Sequence, residues 1–251
     1  MAIAAAAAAL TAGSAGAITP ANGGDASGTM VTINNGPGDQ TDPHVSGDLA
    51  VYTDNPQGTS TIRYYNFVSA SDQAVPNSGE IDLLSDVNGS RIGFSRLRSD
   101  GTIASMVFDV SSMTLTDVAP VAGSNRFGVV LGSSVVAFQE ANSGSGDIFV
   151  YDLSTSGPLI NVSASPDIDQ DASISPAGNA VVWERCVGSS CGIYRSVNTG
   201  SGWGSPELVS DTTSNEGNPD TDGTTVVYDS DRPSATGQDI YFQPLAGGGR
   251  D

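Results

Sequence analysis

Three aspartates alternate along one short stretch, Asp167, Asp169 and Asp171. Alternate side chains of an extended chain point to one side, so the three carboxylates are expected to converge. Like charges held that close repel unless a cation or protons offset them. Calcium, a hard ion that takes oxygen ligands, is the candidate cofactor. A second string, Asn218-Pro219-Asp220-Thr221-Asp222-Gly223 with Asp229 after it, fits a calcium-loop spacing on paper. Val226-Val227-Tyr228 reads as a strand, however, so that string is a turn between strands. Glycoside hydrolysis would need a pair of carboxylates brought from separate places. Glu140 and Glu184 are the acids for it, with Asp54 or Asp229 as partner. Nucleophilic hydrolysis finds no support: the chain has one histidine, His44, and no G-x-S-x-G elbow. His44 follows Pro43 at the start of an inner strand and reads as structural.

Cys186 and Cys191 flank Val187-Gly188-Ser189-Ser190. A close, even pair in an exported chain reads as a disulfide. Two cysteines and one histidine fall short of the four ligands of a structural zinc site.

The elements that must position these groups come from a repeat. Gly47, Gly89, Gly132, Gly178 and Gly223 recur about every 44 residues, each followed by a short apolar strand such as Val135-Val136-Ala137-Phe138 or Ala180-Val181-Val182-Trp183. A polar loop and a second strand follow, such as Ile148-Phe149-Val150-Tyr151 or Ile240-Tyr241-Phe242. This predicts an all-β fold, a five-bladed β-propeller of four-stranded antiparallel blades. Outer strands are expected near 73–75, 115–118, 159–162 and 207–209, and the fifth repeat stops after its third strand. The segment Met30-Val31-Thr32-Ile33-Asn34 is expected to supply the missing strand and close the ring, which would remove an exposed edge. The alternative is a fragment of a larger propeller. Loops leading into the innermost strands carry Asp39, Asp42, Asp167, Asp169, Asp171 and Glu216. Loops after the second strands add Asp54, Glu140, Glu184 and Asp229, so one face is expected to gather the acids.

Composition bounds the partners. The chain has 28 acidic residues, 23 of them Asp, against nine arginines and no lysine, a net charge of −19. Such a charge argues against nucleic-acid backbones and anionic membrane surfaces. Residues 3–12 are almost all alanine, and Ala15-Gly16-Ala17 has the small-x-small form of a signal-peptidase site, although no basic residue precedes the apolar run. The expected organisation is a signal peptide at 1–17, a flexible leader at 18–29, one propeller domain at 30–245 and a flexible tail at 246–251. That run is too short and too weakly apolar to insert in a membrane. The expected location is secreted, periplasmic or at the cell surface.

Two stretches go beyond generic periodicity. Trp203-Gly204-Ser205-Pro206-Glu207-Leu208-Val209 forms a W-G-x-P-x-x-L run. Pro219-Asp220-Thr221-Asp222-Gly223, Ser230-Asp231-Arg232 and Asp239-Ile240-Tyr241 follow it. Together they resemble the TolB-type, WD40-like propeller repeats of exported proteins, over residues 38–242. The resemblance implies the propeller and carries little about activity. The expected function is a non-catalytic scaffold that binds a protein, an extracellular polymer or another copy of itself through its acidic face, with calcium assisting. The alternative is the glycoside hydrolase with cross-blade carboxylates.

Overall fold

The computed structural model describes residues 30–141, 146–210, 214–232 and 237–246. The expected signal peptide, the leader and residues 247–251 lie outside the described residues. Contacts divide the chain after Thr32, and the propeller is the unit Ile33–Asp251.

That unit is a run of antiparallel sheets, each a meander in chain order. The first blade holds β1 (Asp39–Ser46), β2 (Leu49–Asn55), β3 (Thr61–Asn66) and β4 (Ser71–Ala74). The second holds β5 (Ile81–Asn88), β6 (Arg91–Leu97), β7 (Ile103–Asp109) and β8 (Thr114–Asp117). The third holds β9 (Arg126–Leu131), β10 (Val135–Glu140), β11 (Asp147–Asp152) and β12 (Ile160–Asn161). In the fourth are β13 (Ile168–Ile174), β14 (Ala180–Val187), β15 (Ser190–Val197) and β16 (Glu207–Leu208). The fifth has three strands, β17 (Glu216–Thr221), β18 (Thr225–Ser230) and β19 (Asp239–Pro244). The expected ring-closing strand does not form: residues 30–34 join no ladder. The acids expected in loops before the innermost strands sit mostly within them, because a strand that lines a channel is polar and carries no apolar alternation.

The second strands of the second, third and fourth blades are buried along most of their length because each is covered on both faces, by the blade before and the blade after. The cores therefore lie between blades. Val51, Ile62 and Tyr64 of the first blade pack on Ile92, Phe94 and Phe108 of the second. Ile148 and Val150 of the third pack on Val181 and Trp183 of the fourth.

In the second, third and fourth blades the first and second strands share a buried ion pair. Arg96 Nε lies 2.6 Å from Asp82 Oδ1, Arg126 Nε 2.6 Å from Glu140 Oε2, and Arg185 Nε 2.6 Å from Asp169 Oδ1. Each pair occupies the same register position, Asp82 opposite Arg96, Arg126 opposite Glu140 and Asp169 opposite Arg185. Each guanidinium also donates to a carbonyl where the preceding blade ends: Arg96 to Pro76 O (2.8 Å), Arg126 to Val118 O (2.6 Å), Arg185 to Ser163 O (2.8 Å). Phe94, Phe138 and Trp183 lie under the same arginines, at 5.2, 4.8 and 5.9 Å to the ring centroids. In the fifth blade Arg232 pairs with Glu216 at 2.7 Å and stacks on Tyr241.

Cys186 and Cys191 face each other across β14 and β15 and form the expected disulfide.

Gly132 of the third blade meets Gly178 of the fourth so closely that a Cβ on Gly132 would lie 2.3 Å from the Gly178 Cα. Backbone on both sides leaves little room to yield. Gly132→Ala is expected to destabilise the protein by about 1–3 kcal/mol, read from urea unfolding. An unchanged midpoint would mean that the blades separate there at no cost.

Candidate binding channel

The first strand of every blade carries a β-bulge at the same place, where the register with the second strand slips. At each bulge one residue is left-handed: Asp42 (φ 56°), Leu84 (55°), Gly128 (58°), Asp171 (49°) and Asn218 (49°). Asp and Asn tolerate this region better than other side chains, and Gly adopts it freely. Leu84 has no such excuse, and strain of that kind clusters at functional sites. The five residues line a common cavity of about 380 Å³.

Two residues beyond each bulge stands a second ring: His44, Asp86, Val130, Ser173 and Asp220. All five line a contiguous cavity of about 620 Å³. These side chains reach between blades. Asp86 Oδ2 accepts from the Leu131 amide at 2.7 Å, and Asp220 Oδ1 accepts from Ser173 Oγ at 2.7 Å. His44 has Nε2 3.3 Å from Asp42 Oδ1 and Nδ1 3.6 Å from Asp86 Oδ1. Hydrogen bonding to Asp42 raises the His44 pKa above its usual value, helped by the charges of Asp86 and Asp220. The histidine read as merely structural thus lies in the channel between two carboxylates that favour its protonated form. Burial pushes the carboxyls of Asp86 and Asp171 upward.

The aspartate triad does not converge. The bulge after Gln170 re-aims the strand, so Asp171 faces the channel while Asp169 is fully buried. Asp169 accepts from Trp183 Nε1 at 2.7 Å as well as from Arg185. Asp167 accepts from Ser165 Oγ at 3.0 Å. Of the four paired-carboxylate candidates, Glu140 belongs to the ion pair with Arg126 and also accepts from the Asn125 amide at 3.0 Å. Asp54 accepts from Gln40 at 2.9 Å. Glu184 and Asp229 do come together: a Cβ on Gly217 would lie 2.8 Å from Glu184 Oε2 and 3.3 Å from Asp229 Oδ1. Glu184 also accepts from Gln170 at 3.1 Å, and Asp229 from Asn218 at 2.7 Å. Burial raises the Glu184 pKa, and the charges of Asp171 and Asp229 add to the shift.

Glu184, Cys186 and Cys191 are the one group of three metal-type ligands gathered among the described residues. The sulfurs are joined in the disulfide, so they offer no thiolate. Sequence reasoning missed the arginines that claim Glu140 and Asp169. The available signal was their number: eight described arginines each pair with an acid.

No family model matches the sequence, and no curated protein matches it. Solved structures do match. TolB from Acinetobacter baumannii superposes with a TM-score of 0.61 at 13% identity, covering 82% of this chain and 52% of that one. A putative TolB from Agrobacterium tumefaciens gives 0.63 at 15%, covering 86% and 81%. The fold is that of a TolB-type β-propeller. The propeller domain of the Trilobed protease from Pyrococcus furiosus, which has an open velcro topology, also matches, with a TM-score of 0.59 at 12% identity over 83% and 68% of the two chains. This chain spans about half the length of the Acinetobacter TolB.

Two measurements test the channel electrostatics. NMR titration of His44 is expected to give a midpoint above 6.5, and Asp42→Asn is expected to lower it more than Asp86→Asn. The order would reverse if Asp86 were the stronger partner. Glu184 has its folded-state pKa above the unfolded value, so stability falls as pH rises through that window. Glu184→Gln is therefore expected to raise the unfolding midpoint at pH 7 and to lose this advantage near pH 4. A gain that does not depend on pH would dismiss the shift.

Proposed function

We propose that this chain is an exported, non-catalytic scaffold that binds a cationic segment of a protein or extracellular polymer at the acidic mouth of its channel. One observation carries this reading. Every described arginine is engaged by an acid elsewhere, whereas Asp42, Asp86, Asp171 and Asp220 line the channel with only His44 to offset them. Uncompensated carboxylates in a concave, low-dielectric site attract cations and steer their approach. The disulfide fits an oxidising compartment. Calcium is left out of this reading, because the aspartate triad expected to hold the ion does not converge.

A second reading rests on Glu184 and Asp229 flanking the same spot above Gly217. A raised acid beside a second carboxylate is the pattern of glycoside hydrolysis. Release of reducing ends from plant or bacterial polysaccharides, abolished by Glu184→Gln, would establish it over the scaffold.

The scaffold reading is tested with fluorescent octalysine. Anisotropy is expected to report binding that weakens at least tenfold between 20 and 300 mM salt. Asp42→Asn, Asp86→Asn, Asp171→Asn and Asp220→Asn together should abolish it. Binding that survives the four substitutions would move the site off the channel. Thermal unfolding with calcium against magnesium at equal ionic strength decides the ion: equal midpoints are expected.

A further inference from the structure

The complete blades share a construction at their outer edge that the fifth blade lacks. In each, a valine just past the fourth strand donates its amide to a third-strand carbonyl: Val75 to Ile62 (2.9 Å), Val118 to Ser105 (2.9 Å), Val162 to Ile148 (2.9 Å), Val209 to Ile193 (2.8 Å). In the third and fourth blades the next residue is a serine that completes a clamp. The Ile148 amide donates to Ser163 Oγ at 2.9 Å, and the Ile193 amide to Ser210 Oγ at 2.8 Å. A Val-Ser dipeptide thus holds both polar groups of one isoleucine.

Ile240 is the fifth-blade counterpart. It stands opposite Asp229 as Ile193 stands opposite Glu184 and Ile148 opposite Gln139. That register turns its amide and carbonyl to the open edge of β19, where no described strand pairs. The side chains repeat the contrast. Ile62, Ile148 and Ile193 are 0% exposed, whereas Ile240 and Phe242 are each 77% exposed. The next blade covers the first three, and nothing described covers the face of the fifth blade that carries Ile240 and Phe242. The chain's other fourth strands are all engaged in their own sheets.

We infer that the edge of β19 is a strand-addition site for an extended segment of a partner protein, one that presents Val-Ser to Ile240 between basic residues. The backbone of an open edge supplies affinity in such docking, and alternate side chains supply specificity. The basic flanks follow from charge: Asp229 shares the exposed face with Ile240, Asp239 begins the strand, and Arg232 is already bound to Glu216. This rests on the scaffold reading for the partner's charge, but it places the partner on another surface.

The test uses the full chain and a fluorescent peptide that copies residues 159–163, Leu-Ile-Asn-Val-Ser, flanked by two lysines at each end. Saturable binding is expected. N-methylation of the peptide valine should weaken it at least tenfold, as should Ile240→Asp with Phe242→Asp, whose exposed positions spare the fold. The four channel Asp→Asn substitutions should leave it unchanged. Loss of binding in the channel variant alone would overturn the inference while leaving the scaffold reading intact. So would indifference to N-methylation. Binding that appears only in a Val31→Asp, Ile33→Asp variant would give the edge to the chain's own segment. A native dimer that the peptide dissociates would give it to a second copy. Either result overturns the proposal, and failure of octalysine as well would remove the scaffold reading with it.

Discussion

The buried arginine–carboxylate pair between the first and second strands is the contact on which the array depends. It holds the first and second strands together, lies over the aromatic of the second strand, and reaches back to the carbonyl where the previous blade ends. One guanidinium therefore fixes a strand pair, a core aromatic and the link between blades. Arginine suits this role because its planar fork can serve several acceptors at once and is weakly hydrated. Such pairs are retained as geometry more than as stability, since burying the charges costs about as much as their attraction returns. The polarity reverses in the third blade, where the arginine stands on the first strand and Glu140 on the second. What is kept is the pair, with either partner on either strand.

The same economy shapes the channel. With the described arginines consumed by acids elsewhere, the aspartates of the inner strands have few cations left to meet. The bulge that recurs in every inner strand turns Asp42, Asp86, Asp171 and Asp220 to the channel within its two rings. Where the bulge residue is Asp, Gly or Asn, the left-handed backbone is tolerated; at Leu84 it is imposed by the repeat. The channel's polarity thus arises from a backbone irregularity that a period-two reading of the strands would never place.

The exposed edge of the fifth blade has a related origin. Apolar blades are stable because each covers the next, so a blade face that no described blade covers exposes what the others bury. Ile240 and Phe242 have the residue types of a core and the environment of a surface.

Much of the fold was legible in the chain. The glycine period, the apolar second strands and the Asp-Gly turns fixed five repeats, and the valines at 75, 118, 162 and 209 marked four outer edges. The cysteine pair was also readable, because a hairpin brings neighbours together locally. The sites were not. Asp169 and Asp171 look alike in sequence, yet one is buried against Trp183 and Arg185 and the other faces the channel. Likewise Glu140 and Glu184 end comparable strands, but an arginine eight residues past Val118 claims only the first. Local spacing determines which elements form, since turns and periodicity act over a few residues. Which carboxylate is neutralised and which is left for a partner depends on charges brought from other strands and other blades, and only the tertiary structure sets those distances.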